Sequence, residues 1–476
     1  MKVSVKSVVV TAICLFFSVF SAAQIPSFRH IILVVQENRS PDNLFQGLCS
    51  PPYGTSASCN TSPTGSQYNI QTSNWLDKTS STGIIQPIAV PLANGFDLGH
   101  KHVAFTAMCD LNSAGACLMD GAGLSTCSGT CPPSPWFQFV DYTTGVVDPY
   151  LDLATQYGWA NYMFQTNQGP SYPAHQFLFG GTSAPNTQDD ALGVFAAENV
   201  SPEVVGTEAG CVAPAGVFVW LMSQQGEIRH IFPCFEHQTL ADLLVANGIS
   251  WKYYSSGVGS IWTAPNSIQH ICKAVSGKCT GPSWINNVVL TPSQVLTDIS
   301  KCKLAGVSWV IPTGQNSDHP KSNNGGGPSW VASIVNAIGN NAKCADGETY
   351  WDNTAIVVTW DDWGGWYDHQ PPVFLAPPQG DYQYGFRVPM IFVSAYTPSA
   401  YVNNDIQDFG SILRFVENNF GLEEGALNFA DARAATDLSG FFDLTQPPRA
   451  FTTIPAPRDA SYFLNDKEAA LDTDDD

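Results

Sequence analysis

The chain has 476 residues, a formal net charge of −21 and only 13% charged residues. An acidic balance of this size excludes electrostatic capture of nucleic acid and adsorption to anionic membranes by charge alone. The candidate functional segments are spread from residue 37 to residue 369, so one large domain is expected rather than two or three of average size.

The first 23 residues read as a secretory signal. Lys2 and Lys6 give the charged start, Val8–Phe20 the apolar stretch, and Ser21-Ala22-Ala23 a small-residue cleavage site before Gln24. The apolar run is shorter than the roughly 20 residues that span a bilayer. A secreted or periplasmic chain with no transmembrane segment after cleavage is therefore expected. Cys14 leaves with the signal, and twelve cysteines remain. An even number in an exported chain points to disulfides. The close spacings 49/59, 109/117, 127/131 and 272/279 predict local staples, while Cys211, Cys234, Cys302 and Cys344 are left without an assigned partner. No CxxC pair occurs, which argues against a zinc–cysteine site. Few charges together with many disulfides suit an acidic external medium.

His30–Gln36 (HIILVVQ) has the continuous apolar character of a strand covered on both faces. It runs into Glu37-Asn38, and Ser40-Pro41 then makes a helix start with Ser as cap and Pro at the first position. Such an N-terminus beside a cation favours an anion; local capping by Glu37 and Asn38 is the plainer alternative. Segments 50–85 and 110–135, rich in Ser, Thr, Gly and Cys, read as stapled insertions, and His100 lies between them in Asp97–His102. In Gln168–His175 the Gly169-Pro170 turn sets Ser171 at the start of a predicted helix Tyr172–Phe179. A hydroxyl placed there beside a metal can act as a nucleophile, or merely as an N-cap. His237 precedes the helical pattern Thr239–Ala246, and His319 follows the strand-like Ser308–Thr313.

Ala355–Trp360 (AIVVTW) repeats the first pattern, a buried run that stops at Asp361-Asp362. Gly364-Gly365 then allows a tight turn, and Asp368-His369 follows. Both aspartates can serve one ion only if the backbone turns there, because successive strand residues point to opposite faces. If both runs lie in one parallel sheet, Glu37, Asn38, Asp361 and Asp362 meet beyond the strand ends, where ligands gather in open α/β sheets. Three carboxylates that close repel unless a cation joins them, so a divalent metal ion is predicted. Strands are expected near 30–36, 250–255, 307–312, 355–360 and 388–394, with a helix over Gly410–Asn419. Residues 24–450 are expected to form the catalytic domain. Residues 451–476 read as a separate C-terminal segment with a disordered acidic tail at 472–476.

Taken in order, ENRSPDNLF, GPSYPAHQFLFGGTSA, SDHP, WDDWGGWYDHQPP and GFRVPMIFVSA resemble the motifs of the bacterial phosphoesterase family, which contains secreted phospholipases C and related acid phosphatases. The resemblance covers roughly residues 28–425. It implies an alkaline-phosphatase-like three-layer α/β/α sandwich around a mostly parallel sheet, here with disulfide-stapled loop insertions. It implies that Glu37, Asn38, Asp361 and Asp362 bind metal and that Ser171 is both nucleophile and ligand. His100, His319, His237 and His369 would contact the phosphoryl group. Pro41 and Asn43 depart from the family pattern, which has an aromatic residue and a different polar residue there. The β-rich C-terminal modules common in phospholipase members do not follow the helix at 410–419. The expectation is thus a metal-dependent, acid-phosphatase-like phosphoesterase working through a phosphoseryl intermediate. Its substrate would be a phosphate-ester small molecule or, in the phospholipase C alternative, a phospholipid headgroup. An exported protein that holds a phosphorylated ligand without turnover is the alternative of another class, against which Ser171 speaks.

Overall fold

The two apolar runs lie side by side, in register and parallel: β1 (His30–Gln36) pairs with β6 (Thr354–Trp360) from His30 opposite Thr354 to Gln36 opposite Trp360. This computed structural model describes residues 25–202, 208–224, 226–341, 343–344, 347, 349–375 and 382–467. The expected signal segment and the acidic end at 472–476 lie outside the described residues. The main sheet has eight strands: β1, β2 (Gly158–Phe164), β3 (Trp251–Tyr254), β4 (Val288–Val289), β5 (Val307–Val310), β6, β7 (Met390–Ser394) and β8 (Tyr401–Asp408). Their spatial order is β4-β3-β5-β1-β6-β7-β2-β8. All neighbouring pairs are parallel except the two made by β7, which runs antiparallel to both β6 and β2. Passing through β7 reverses direction twice. The carboxyl ends of β1, β2, β5 and β6 therefore share one edge of the sheet.

Helices cover both faces, which is why the central strands carry unbroken Val, Ile and Leu. On one face, the helices Ser171–Gly180, Leu240–Ala246 and Phe409–Asn419 pack together. There Phe179 meets Trp251, Tyr253 and Trp309 with ring centroids 5.9, 5.6 and 5.3 Å apart. On the other face lie Asp148–Gln156, Gln294–Ser300, Gly327–Gly339 and Ala460–Asn465. Tyr150 packs edge-on against Trp360 there, at 5.1 Å. The architecture is the expected α/β/α sandwich with a mostly parallel sheet.

Six disulfides staple the chain: Cys49–Cys59, Cys109–Cys117, Cys127–Cys131, Cys211–Cys234, Cys272–Cys279 and Cys302–Cys344. The four expected local staples are all present. The insertions they close form small ladders of their own, Trp75–Leu76 with Ile84–Ile85 and Phe96–Leu98 with Cys127–Gly129. Residues 451–467 return to the helix Gly327–Gly339: Ile454 exchanges two hydrogen bonds with Asn336, both 2.8 Å, and Phe463 packs on Trp330 at 5.2 Å. No helix among the described residues is long and apolar enough to cross a membrane.

Candidate active site

The edge shared by β1 and β6 carries the acidic residues that follow each strand. The ladder continues one step past the strands, with Asp361 N–H donating to Gln36 O at 3.0 Å. The two loops then cross-link. Asn38 N–H donates to Asp361 Oδ1 at 3.1 Å, and Arg39 N–H donates to Asp362 O at 3.0 Å. Asn38 sits at φ 61°, in the left-handed region that asparagine tolerates better than most residues. That bend lets adjacent residues face one centre. Gly364, also at φ 61°, donates its N–H to Asp362 Oδ1 at 2.7 Å. A side chain at Gly364 would bring its Cβ within 2.4 Å of Asn38 O, so the turn needs glycine there.

Ser171 is the first residue of its helix rather than its cap; Pro170 holds the cap position, with no side-chain cap bond. The serine hydroxyl instead donates to Asp362 Oδ2 at 3.2 Å. One turn further along, His175 brings Nε2 to 3.2 Å from Glu37 Oε1 and 3.8 Å from Asp361 Oδ2. His175 escaped the sequence reading. Its signal was the four-residue spacing from Ser171, which sets both side chains on one helix face. His100 enters from the insertion. Its Nδ1 lies 2.8 Å from Leu98 O, so the proton sits on Nδ1 and Nε2 accepts from Asn38 Nδ2 at 3.0 Å. His100 Nε2 is also 3.9 Å from Asp362 Oδ2. His319, after β5, stands with its ring 6.4 Å from that of His100 and its Nδ1 donating to Pro320 O at 2.7 Å.

The donor set suits a hard divalent cation. One ligand atom each from Glu37, His175 and Asp361 lies within 4.8 Å of the others, and all three residues are buried. Asn38 Oδ1 and Asp361 Oδ2 are buried oxygens without a hydrogen-bond partner, and buried oxygens of this kind normally have one. Carboxylate and amide oxygens are hard ligands, and the one imidazole extends the choice to borderline ions such as zinc.

The other two predicted histidines are engaged by other partners. His237 packs at the far end of the Ser171–Gly180 helix, where a Cβ at Gly180 would come within 2.9 Å of its Cε1. Nine residues of helix rise put that end about 13 Å from Ser171. Its ring Nδ1 donates to Gln238 O, and burial lowers its pKa. His369 is held by Asp42, with Nδ1 at 2.7 Å from Oδ2, and by Asn69 at 2.9 Å. Asp42, Asp368 and His369 form a second compact polar group. The buried Arg387 already supplies its positive charge, at 2.9 Å from Asp368 and 3.6 Å from Asp42. Burial pushes the Asp42 carboxyl up, but His369 and Arg387 together hold it below its usual value. This group fastens loop 37–43 to loop 361–369, aided by Ser40 Oγ donating to Tyr367 O at 2.6 Å.

A second clamp joins the His319 loop. The Arg39 guanidinium donates through Nε and Nη2 to Asp318 O at 3.0 and 2.8 Å and lies 4.9 Å over the Trp366 ring. Burial lowers the Arg39 pKa to about 10. The Asp318 carboxyl accepts from Tyr150 Oη at 2.8 Å and from Trp360 Nε1 at 3.0 Å, and burial raises its pKa to about 6.

The chain is similar to several curated proteins. Phospholipase C A of Mycobacterium tuberculosis is 25% identical over 242 residues, 45% of this chain and 45% of that protein. Hemolytic phospholipase C of Pseudomonas aeruginosa is 21% identical over 358 residues, 66% and 45% of the two chains. Non-specific phospholipase C6 of Arabidopsis thaliana is 23% identical over 269 residues, 50% and 48%. The chain thus spans about half the length of the curated relatives it matches. Among solved structures, a protein in the alkaline phosphatase superfamily from Vibrio parahaemolyticus matches with a TM-score of 0.31 and 11% identity, covering 58% of this chain and 61% of that one. The family model named for the phosphoesterases matches residues 28–423, from the start of β1 to beyond the helix Phe409–Asn419. On a match that takes in the whole sheet and every loop of the site, the chain belongs to the phosphoesterase family.

Proposed function

We propose that the chain is an exported, metal-dependent hydrolase of phosphate esters in which Ser171 is the nucleophile. The observation that carries this reading is the Ser171 hydroxyl, held 3.2 Å from Asp362 in a buried group of carboxylates at the helix N-terminus. Glu37, Asn38, Ser171, Asp361 and Asp362 would hold a divalent ion, with His175 beside Glu37, and the bound ion would neutralise phosphoryl oxygens and favour the serine alkoxide. Asp362 fixes the Oγ by accepting its hydrogen bond. The positive end of the helix dipole adds a favourable field for the phosphoryl oxygens, although Tyr172 N–H is taken by Asn199 and Pro173 has no N–H to offer. Ser171 Oγ passes its proton to Asp362 and forms the bond to phosphorus while the ester oxygen departs, taking a proton from Nε2 of His319 or His100 in the imidazolium form, since each Nδ1–H is held by a backbone carbonyl. Water then adds to phosphorus, the Oγ–P bond breaks, and phosphate leaves while Ser171 regains its proton. The six disulfides and the signal-like start support export.

The acid-phosphatase-like form of this reading needs only the site itself. A phospholipase C form is favoured by a separate observation, the names of the curated relatives. Both are tested by following p-nitrophenyl phosphate hydrolysis and phosphocholine release from phosphatidylcholine, across pH and with Mg²⁺, Mn²⁺, Ca²⁺ or Zn²⁺ added. Turnover of either substrate, lost in Ser171→Ala, is expected. Tight phosphate binding without turnover of either would instead make the chain a binding protein.

A further inference from the structure

The helix that carries Ser171 begins without a cap of its own. A capping oxygen ordinarily takes the N–H of the second or third helical residue. Here the cap residue is Pro170, whose side chain accepts nothing, and the third helical residue is Pro173, which has no N–H. The N–H left to satisfy is that of Tyr172, a fully buried residue. Its acceptor comes from outside the helix: Asn199 Oδ1, 27 residues further along the chain and itself buried, accepts it at 2.9 Å.

The strip around Asn199 is moulded to the turn that precedes Ser171. A Cβ at Gly169 would come within 2.1 Å of Ala197 O, so backbone meets backbone there. Glu198 Oε1 accepts from His102 N–H at 3.1 Å, and His102 Nδ1 donates to Gln168 O at 2.9 Å. Ala197, Glu198 and Asn199 thus reach Gly169, Gln168 (through His102) and Tyr172. The strip is held in its turn by the neighbouring strand Val219–Ser223 and the residue before it. Ala197 N–H donates to Trp220 O at 3.3 Å, and Ser201 exchanges hydrogen bonds of 2.7 and 2.9 Å with Phe218. Within the turn, Gln165 Nε2 and Asn167 Nδ2 donate to Gly169 O at 2.9 and 2.8 Å.

Two constraints therefore act on the Ser171 hydroxyl. Asp362 sets its direction by accepting its hydrogen bond. Asn199 sets where the helix starts, and with it the backbone from which the hydroxyl projects. We infer that Asn199 is a positioning residue for the nucleophile, capping the Ser171 helix from outside and holding its first turn at the place in-line attack requires. The inference rests on the reading of Ser171 as nucleophile and deepens it. Loss of the Asn199 acceptor leaves a buried N–H unsatisfied, which the helix start relieves by shifting or fraying. A shift of about 1 Å in a reacting group costs on the order of 100-fold in rate.

The test measures kcat, KM, inhibition by inorganic phosphate and melting temperature on the metal-loaded full chain. The substrate is p-nitrophenyl phosphate or p-nitrophenyl phosphocholine, whichever the wild type turns over. Asn199→Ala should lower kcat about 10- to 100-fold while the phosphate inhibition constant stays within about twofold. Asn199→Asp keeps an acceptor for Tyr172 N–H, adds a charge that a helix start favours, and should return kcat to within about fivefold of wild type. Asn186 supplies the matched control. It caps the helix Thr187–Ala191, its Oδ1 accepting from Gln188 and Asp189 N–H at 3.0 Å each, and that helix carries none of the proposed site residues. Asn186→Ala should lower the melting temperature and leave kcat unchanged. Should Asn199→Ala fail to fold, Asn199→Ser gives the same comparison with a shortened polar side chain. An unchanged kcat without the Asn199 amide, equal kcat losses in the Asn199 and Asn186 alanine variants, or no recovery in Asn199→Asp overturns the inference. A wild type that turns over neither substrate, or a Ser171→Ala variant that keeps its activity, overturns the reading of Ser171 and this inference with it.

Discussion

The Ser171 hydroxyl donates to Asp362 Oδ2 at 3.2 Å, across 191 residues of sequence. The pair exists because the helix after β2 and the turn after β6 reach the same sheet edge. Asp362 is fixed in turn by Gly364 N–H. The serine is therefore oriented by the fold before any substrate arrives.

Replacing Ser171 by alanine should lower turnover by about three orders of magnitude or more while thermal stability changes little. Acid quench of the wild type during turnover should leave phosphate on the peptide that contains Ser171, and a chiral phosphate ester should react with retention. Inversion, with no labelled peptide, would show that water attacks directly.

Asp361→Asn and Glu37→Gln should each abolish retention of a divalent ion and cut activity to a similar extent. The stability effect should change sign with metal. Without ions the buried carboxylates of Glu37, Asp361 and Asp362 repel, so neutralising one raises the melting temperature of chelator-treated protein. With ions present the same change removes a ligand and lowers it. Melting curves with and without chelator check this; equal shifts of one sign in both conditions would sink the metal assignment.

His175→Ala should weaken metal retention about 10- to 100-fold, the usual effect of removing a group that orients or completes a ligand set. Competitive chelation followed by metal analysis reads it directly. Unchanged metal retention would make His175 a packing residue of the helix face.

Asp318 gives a pH signature. Burial raises its pKa to about 6 from the ordinary 3.8. Between these values the folded state holds more protons than the unfolded one, so the Asp318 contribution to stability falls as pH rises from about 4 to about 6 and is constant above. Asp318→Asn should remove up to about 3 kcal/mol of that dependence. Unfolding of both proteins at pH 4 and pH 7 checks it; identical pH slopes would refute the assignment.

Arg458 ties the loop after His319. Its guanidinium donates to Asn324 Oδ1 and, at 2.8 Å, to Asn324 O, while Asn316 donates to Asp466 at 2.9 Å. Arg458→Ala should lower kcat about tenfold, more for poor leaving groups than for p-nitrophenol, with the fold intact. An equal loss for all leaving groups would argue against a role through His319.

Much of this was legible in the sequence because β1 and β6 are covered on both faces and so appear as unbroken apolar runs. Their polar ends then stand out. β7 was legible as a strand near 388–394, but apolar character is the same in either direction, so its antiparallel course was not. β8, YVNNDIQD, is an edge strand with polar positions facing solvent, and β2, GWANYMF, lacks the Val–Ile signature; neither was foreseen. Spacing could have found His175. His237 could not be excluded from sequence, because its place follows from the Cys211–Cys234 bridge and from Phe235 N–H bonding to Ser267 O at 2.7 Å. His369 lies near the aspartates in sequence, and its ring is engaged by Asp42 and Asn69.

The order of the disulfides carries a consequence for biogenesis. Each of the twelve bonded cysteines is joined to its immediate neighbour in the cysteine series, and no bridge encloses or crosses another. Roughly ten thousand pairings of twelve thiols exist. A polypeptide that emerges amino end first into an oxidising space offers each thiol its native partner before any competitor. Simple oxidation in order of emergence thus reaches the correct set, with no need for an isomerase to reshuffle wrong bonds.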